Sequence, residues 1–238
     1  LAFTPAVNPT AVSIKLADGT LRVFTRPNAS SAWTTVHGAD TLTLAGDGSW
    51  SYRRADDNAL FAFSSSGKLL APTRRNGWVL SYGYNGGGQL ATITNAFGRT
   101  LSFGYNVSGL VTSISTADLR SVGYVYDGSG RLSVVTYPDG KTRTYLYENS
   151  TYPQALTGML DEAGVRFATF AYDTQGRASS TELNGVVNRY VVSYPSAGNA
   201  VVTDPLGTSR NYSYGTTAGA LAVTGGSLPS GTGDADAA

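Results

Sequence analysis

An aromatic residue recurs at a fixed interval through the middle of this chain. Tyr84, Tyr105, Tyr126 and Tyr147 are each 21 residues apart, and Phe63 stands another 21 before Tyr84. The spacing then loosens to 25, 22 and 20 residues at Tyr172, Tyr194 and Tyr214. Such a period constrains the fold strongly, because each unit must be one small element that buries its apolar face on its neighbours. Other residues keep the same phase. Gly67, Gly88, Gly109, Gly130 and Gly176 fall four places after the aromatic, and Leu69, Leu90 and Leu132 fall six places after it. A second glycine recurs fourteen places on, at Gly77, Gly98 and Gly140, with Leu119 in its place in the third unit. Tyr82, Phe103, Tyr124, Tyr145 and Phe170 each precede a repeat tyrosine by two.

The content of one unit assigns its structure. Between Tyr126 and Tyr147, Asp127-Gly128-Ser129-Gly130 reads as a turn: glycine reaches positive φ freely and aspartate bonds nearby backbone. Arg131 to Tyr137 is β-branched and aromatic with partial alternation, and predicts a strand. Pro138-Asp139-Gly140 is a second turn and Lys141 to Tyr147 a return strand. Each unit is therefore one hairpin. Two glycines per unit would each cost about 1 kcal/mol inside a helix. Leu101-Ser102-Phe103-Gly104-Tyr105 alternates large and small with a period of two, again as a strand does. A lone hairpin is marginal in water, so consecutive units must pair edge to edge. The fold expected is all-β, an antiparallel meander of hairpins forming a curved, twisted strip. A β-propeller is the rival, but it requires alternate units to resemble each other more than neighbours do, and they do not.

Residues 1–52 are read as irregular hairpins or capping repeats, with turn signals at Asp18-Gly19 and Asp47-Gly48. Residues 53–224 are the array, and 225–238, rich in Gly, Ser, Ala and Asp, a flexible tail. The opening Leu1-Ala2-Phe3-Thr4-Pro5 lacks a start methionine and a basic stretch, and is read as the beginning of an excised fragment. Charged residues are only 14% of the chain and net charge is +1, which gives no footprint for nucleic acid. There is no cysteine, so disulfides and thiolate metal sites are excluded. No apolar run approaches the roughly 18 residues of a membrane helix.

Two segments carry a family resemblance. Tyr126-Asp127-Gly128-Ser129-Gly130-Arg131-Leu132 and Tyr172-Asp173-Thr174-Gln175-Gly176-Arg177 resemble the YD repeat of RHS (rearrangement hot spot) proteins. Tyr137-Pro138-Asp139-Gly140 and Thr203-Asp204-Pro205-Leu206-Gly207 resemble the same family's mid-repeat turn. The resemblance covers roughly residues 53–214. It implies a β-strip that spirals into a hollow shell, often around a C-terminal toxin in bacterial competition systems and used for adhesion in animal relatives. It further implies a secreted or secretion-system-delivered bacterial parent, whose further repeats or toxin cargo would be this chain's partners. Asp204-Pro205-Leu206-Gly207 has the short step of the family's self-cleaving motif without its upstream context, so self-cleavage is not carried over.

Candidate chemistry is sparse, and no enzyme activity or cofactor is expected. His37 is the only histidine, too few for an ordinary zinc site or a Ser-His-Asp triad in this setting. Asp56-Asp57 and Asp161-Glu162 are adjacent carboxylates of the type glycosidases use in pairs. Adjacent strand residues, however, point to opposite faces, and in turns such residues are simply solvated. Asp127 and Asp173 are explained by Asx turns, and no single turn offers enough oxygens for calcium. The tyrosines are read as a packing ladder with wet hydroxyls. The alternative function is a carbohydrate- or partner-binding module, with Trp33, Trp50 and Trp78 as candidate glycan platforms, although none is in phase with the repeat.

Overall fold

The computed structural model describes residues 2–3, 10–36, 38–217 and 220–227. Among these, the regular structure is strand, apart from a three-residue 3-10 turn at Asn184–Val186. The expected antiparallel meander is what the chain forms. It divides into two compact units, Leu1–Val122 and Gly123–Ala238.

The first unit opens with β1 (Ala2–Phe3), β2 (Ala11–Lys15) and β3 (Leu21–Thr25), a three-stranded sheet. A four-stranded sheet follows, made of β4 (Thr41–Leu44), β5 (Trp50–Arg53), β6 (Leu60–Phe63) and β7 (Leu69–Thr73). The hairpins expected at Asp18-Gly19 and Asp47-Gly48 are β2–β3 and β4–β5. Alternation is clean here: Val12 and Ile14 of β2, Trp50 and Tyr52 of β5, and Phe61 and Phe63 of β6 enter one core with Leu16, Phe24, Leu42 and Ala59. Phe24 meets Tyr52 edge-on at 5.9 Å, and Tyr52 stacks on Phe61 at 5.5 Å. The core encloses a charge. Asp40, buried, accepts the Tyr52 hydroxyl at 2.8 Å and the Ala55 N–H at 2.8 Å. The guanidinium of Arg22 lies 3.3 Å away, an ion pair at its nearest nitrogen without hydrogen-bond alignment. Burial, then the bond to Asp40, pushes the Tyr52 phenol well above its ordinary value.

The division at residues 52 and 53 is one of sequence pattern and not of hydrogen bonding, because β5 pairs with both β4 and β6 across it. The first unit continues with β8 (Ser81–Tyr84), β9 (Leu90–Thr94), β10 (Thr100–Tyr105) and β11 (Val111–Thr116), each paired antiparallel with the next.

Strand β12 (Ser121–Tyr126) straddles the division between the units. The second unit proceeds through β13 (Leu132–Thr136), β14 (Thr142–Leu146), β15 (Gly158–Leu160), β16 (Arg166–Tyr172) and β17 (Ala178–Leu183). It ends with β18 (Val187–Ser196), β19 (Asn199–Thr203), β20 (Ser209–Thr217) and β21 (Ala220–Gly226). Consecutive strands pair antiparallel from β12 through β21. Gly225 and Gly226, expected in a flexible tail, close β21, where Gly225 pairs with Ser213 and Gly226 with Tyr212. Residues 228–238 lie outside the described residues. Core burial in this unit is thin: Val135, Ala168 and Ala200 are its buried apolar side chains among the described residues. Strand pairing and contacts between repeats must therefore hold it together.

Candidate functional site

The repeat aromatics sit at one recurrent defect in the ladder. The register shifts by one residue between Ala62 and Phe63, Gly83 and Tyr84, Gly104 and Tyr105, Val125 and Tyr126, and Ala171 and Tyr172. Each is a β-bulge, in which the partner strand carries an extra residue. The aromatic then faces the residue six places on: Leu69, Leu90, Val111, Leu132 and Ala178. Tyr214 of β20 also follows a register shift, between Ser213 and Tyr214, and its N–H donates to Gly198 O at 2.7 Å.

Five of the repeat hydroxyls, read from the sequence as wet, bond instead to backbone carbonyls. Tyr84 donates to the backbone carbonyl of Leu69 at 2.8 Å and Tyr105 to that of Leu90 at 2.7 Å. In the second unit Tyr147 donates to Leu132 O at 3.0 Å, Tyr172 to Leu156 O at 2.8 Å, and Tyr194 to Ala178 O at 3.0 Å. In four of these five, the acceptor is the residue that faces the preceding repeat aromatic across its bulge. Each of these tyrosines thus ties its own strand to the preceding segment of the chain. Burial pushes the phenols of Tyr84 and Tyr147 above their ordinary value.

The turn glycines support this geometry. Gly67, Gly88, Gly109, Gly130 and Gly176, and the second-turn Gly98 and Gly140, all adopt φ between 76 and 82°. Each N–H returns to the carbonyl three residues earlier, as Gly130 does to Asp127 O at 2.9 Å. The residue after the aromatic fixes the turn from its side chain. Asp127 Oδ1 accepts the N–H groups of Ser129 and Arg131, and Asp173 Oδ1 those of Gln175 and Arg177. The N–H of Arg131, followed by its guanidinium, holds the Asp127 carboxyl below its ordinary value.

Sequence reasoning missed one partner. A basic side chain five places after the aromatic lies over the next repeat's ring: Lys68 over Tyr84 at 4.9 Å, Arg131 over Tyr147 at 4.7 Å, and Arg177 over Tyr194 at 4.0 Å. Its phase with the glycines was the available signal, obscured because Gln89 and Leu110 occupy the same position elsewhere. Turns are also tied to turns. Lys68 Nζ donates to Gly88 O at 2.8 Å, Arg131 donates to the Pro153 carbonyl, and Tyr152 to that of Thr174. The last two anchor the extra loop between β14 and β15 that lengthens the spacing after Tyr147.

The remaining candidates take structural places. Asp57 is bound bidentately by Arg54, at 2.9 and 2.5 Å, which draws its pKa down to about 2. Asp161 Oδ1 accepts Ala163 and Val165 N–H groups, while Glu162 pairs with Arg143 at 2.8 Å. His37 lies outside the described residues. Among the tryptophans, Trp50 is 4% exposed and Trp33 packs on it at 5.5 Å beneath Arg26. Trp50, closed in the core, has no ring face to offer a sugar, which corrects its candidacy as a glycan platform. Trp78 is 54% exposed. Among the described residues no cluster of three or more His, Cys, Asp or Glu side chains could hold a metal, and no helix is long and apolar enough to cross a membrane.

Two family profiles match parts of this sequence, and solved structures are similar to it in fold. The teneurin YD-shell family profile matches residues 99–193, and the RHS repeat profile matches residues 63–100. No curated protein matches the sequence. Among solved structures, a crystal structure of TcdB2-TccC3 without its hypervariable C-terminal region is similar over 90% of this chain, with TM-score 0.52 and 13% identity. A Photorhabdus luminescens Tc holotoxin pore is similar over 86% of this chain, with TM-score 0.35 and 14% identity. The matched part is only 15% and 14% of those two chains.

Proposed function

We propose that this β-repeat array, similar over residues 63–100 to the RHS repeat and over residues 99–193 to the teneurin YD-shell family, is one stretch of the wall of a shell that encloses or displays another segment of a larger secreted or delivered bacterial polypeptide. The observation that carries this reading is the tyrosine clasp, in which Tyr84, Tyr105, Tyr147 and Tyr194 each lock their own strand to the strand before it by the same O–H to carbonyl bond. Such a bond can be repeated without limit along a strip. A device that only adds the next hairpin makes surface, as a repeat array does. The carboxylates that could do chemistry are instead committed to turns and ion pairs. The role is mechanical, and its partners are neighbouring repeats and an enclosed or displayed segment of the same polypeptide.

The test is protease protection in the parent polypeptide. With the array intact, the non-repeat segment resists a protease that digests it readily when expressed alone. Replacing Tyr105 and Tyr147 together by alanine opens the wall and makes that segment cleavable while the chain remains expressed. Equal cleavage of that segment in the intact parent and in isolation overturns the reading.

A further inference from the structure

The first unit carries a cleft that the repeat logic does not explain. It has a volume of about 800 Å³ and lies among β6, β7 and the turns that follow β7 and β9. Phe61 and Pro72 contribute to its apolar lining, while Trp78 and Phe97 stand in it edge to face at 5.4 Å. Both of the latter are largely exposed, at 54% and 69%. Most apolar side chains of that size are drawn under neighbouring residues, and two in contact on one rim form a ready platform.

Charge sets the character of a ligand here. Three arginines line the cleft, Arg54, Arg74 and Arg75, against a single carboxylate, Asp57. Asp57 is already taken bidentately by Arg54. The guanidiniums of Arg74 and Arg75 have no acidic partner among the described residues, and both residues are exposed. The indole N–H of Trp78 likewise has no acceptor among them. The cleft therefore presents a flat aromatic face, one N–H donor and two uncommitted forks of the kind that grip carboxylates bidentately.

The backbone restricts the class further. An extended peptide is usually captured through the free hydrogen-bonding edge of a strand. Here β7 is paired with β6 on one side and, through Thr73 with Val79 and Leu80 N–H with Pro72 O, with the following segment on the other. What binds must be held by side chains alone: by stacking on a ring and by ion pairing to a carboxylate. We infer that this cleft is a binding site for an acidic oligosaccharide, with a pyranose ring on Trp78 and a uronate carboxylate on Arg74 and Arg75. The volume suits a ligand of two or three sugar rings.

Titration of the whole chain with tetragalacturonic acid, read by calorimetry and tryptophan fluorescence, tests the site. Binding is expected to be saturable, weakened by salt, and much weaker for the neutral cellotetraose. Trp78→Ala weakens it by about tenfold or more. The double change of Arg74 and Arg75 to glutamine brings the acidic and neutral sugars to similar affinity. These are exposed turn residues, and unchanged circular dichroism and melting temperature establish that the variants are folded. The inference is overturned by the absence of binding at about 10 mM uronate, by binding that survives Trp78→Ala, or by tighter binding of a hexaglutamate peptide through the same residues. None of these outcomes bears on protease protection of the enclosed segment, so the two readings fail separately.

Discussion

Removing a single oxygen distinguishes a clasp from a packing ladder. Tyr105→Phe keeps the ring and deletes the donor to the Leu90 carbonyl, a half-buried bond of 2.7 Å. A hydroxyl that only faced water would cost nothing measurable to remove. One that holds a backbone carbonyl contributes about 1 kcal/mol net, within a range of roughly 0.5–1.5. Tyr147→Phe deletes the equivalent bond to Leu132 O in the second unit. The two bonds share no residue, so their losses should add to about 2 kcal/mol. Tyr84 and Tyr105 should not add as simply, because Leu90 faces Tyr84 across the bulge and also accepts from Tyr105. For a chain of this length each kcal/mol lowers the melting temperature by about 2–4 °C. The control is Tyr190→Phe, since Tyr190 is 42% exposed and its hydroxyl has no protein partner among the described residues. It should stay within about 0.5 kcal/mol of the parent. Urea melts followed by far-ultraviolet circular dichroism report on both units. If Tyr105→Phe and Tyr147→Phe fall within the error of Tyr190→Phe, the hydroxyls hold nothing and the clasp is wrong.

Four further outcomes are expected. Asp40→Ala strands Arg22, the Tyr52 hydroxyl and the Ala55 N–H inside the first unit, and should cost about 3–5 kcal/mol in the same urea melt. Leu119 stands at φ 66°, where three other units have Gly77, Gly98 and Gly140, so Leu119→Gly should raise stability by about 0.5–1 kcal/mol as strain relief outweighs glycine's extra unfolded freedom. The phenols of Tyr52, Tyr84 and Tyr147 are raised in the folded chain above their ordinary value of 10. The unfolded chain therefore loses those protons first, and stability should hold up to about pH 10 and fall above it, with Tyr84→Phe flattening the fall. At the other extreme Asp57, lowered to about 2, and Asp127 contribute stability that is lost as pH drops through the range below about 4, measurable as an acid melt.

The strip was legible because its rule is written in residue types that have few other uses. Glycine at positive φ four places after an aromatic, with Asp or Asn between them, specifies one turn, and its recurrence specifies an array. The strand faces were less legible, and the bulge is the reason. Leu90 and Ile93 are three apart, which breaks the period of two, yet they face Tyr84 and Tyr82, which share a side of the sheet. The extra residue between them, Ala91, restores the alternation on the far side of the defect. The same offset puts Leu132 opposite Tyr126 and Val135 opposite Tyr124. What reads as imperfect patterning in one strand is the regular signature of a bulge in the pair.

That bulge also explains why the hydroxyls were misread. A regular ladder engages backbone carbonyls with the neighbouring strand, leaving a tyrosine hydroxyl beside it to water. One added residue locally interrupts the ladder, and the accepting carbonyl at Leu69, Leu90 or Leu132 belongs to the residue that faces the bulge aromatic. A tyrosine 15 residues later, at the far end of the next strand, reaches that carbonyl across the turn between the two strands. Hydroxyl, bulge and turn are thus one mechanism distributed over two hairpins, and a 21-residue period is the spacing at which all three meet. The second unit shows that the spacing can vary: the loop between β14 and β15 stretches the interval to Tyr172, whose acceptor moves to Leu156, and Tyr194 reaches Ala178, both one residue beyond the regular separation. The hydroxyl bond is retained while the length between repeats changes, so what the clasp requires is a backbone carbonyl within reach of the ring on the preceding segment, and not the period itself.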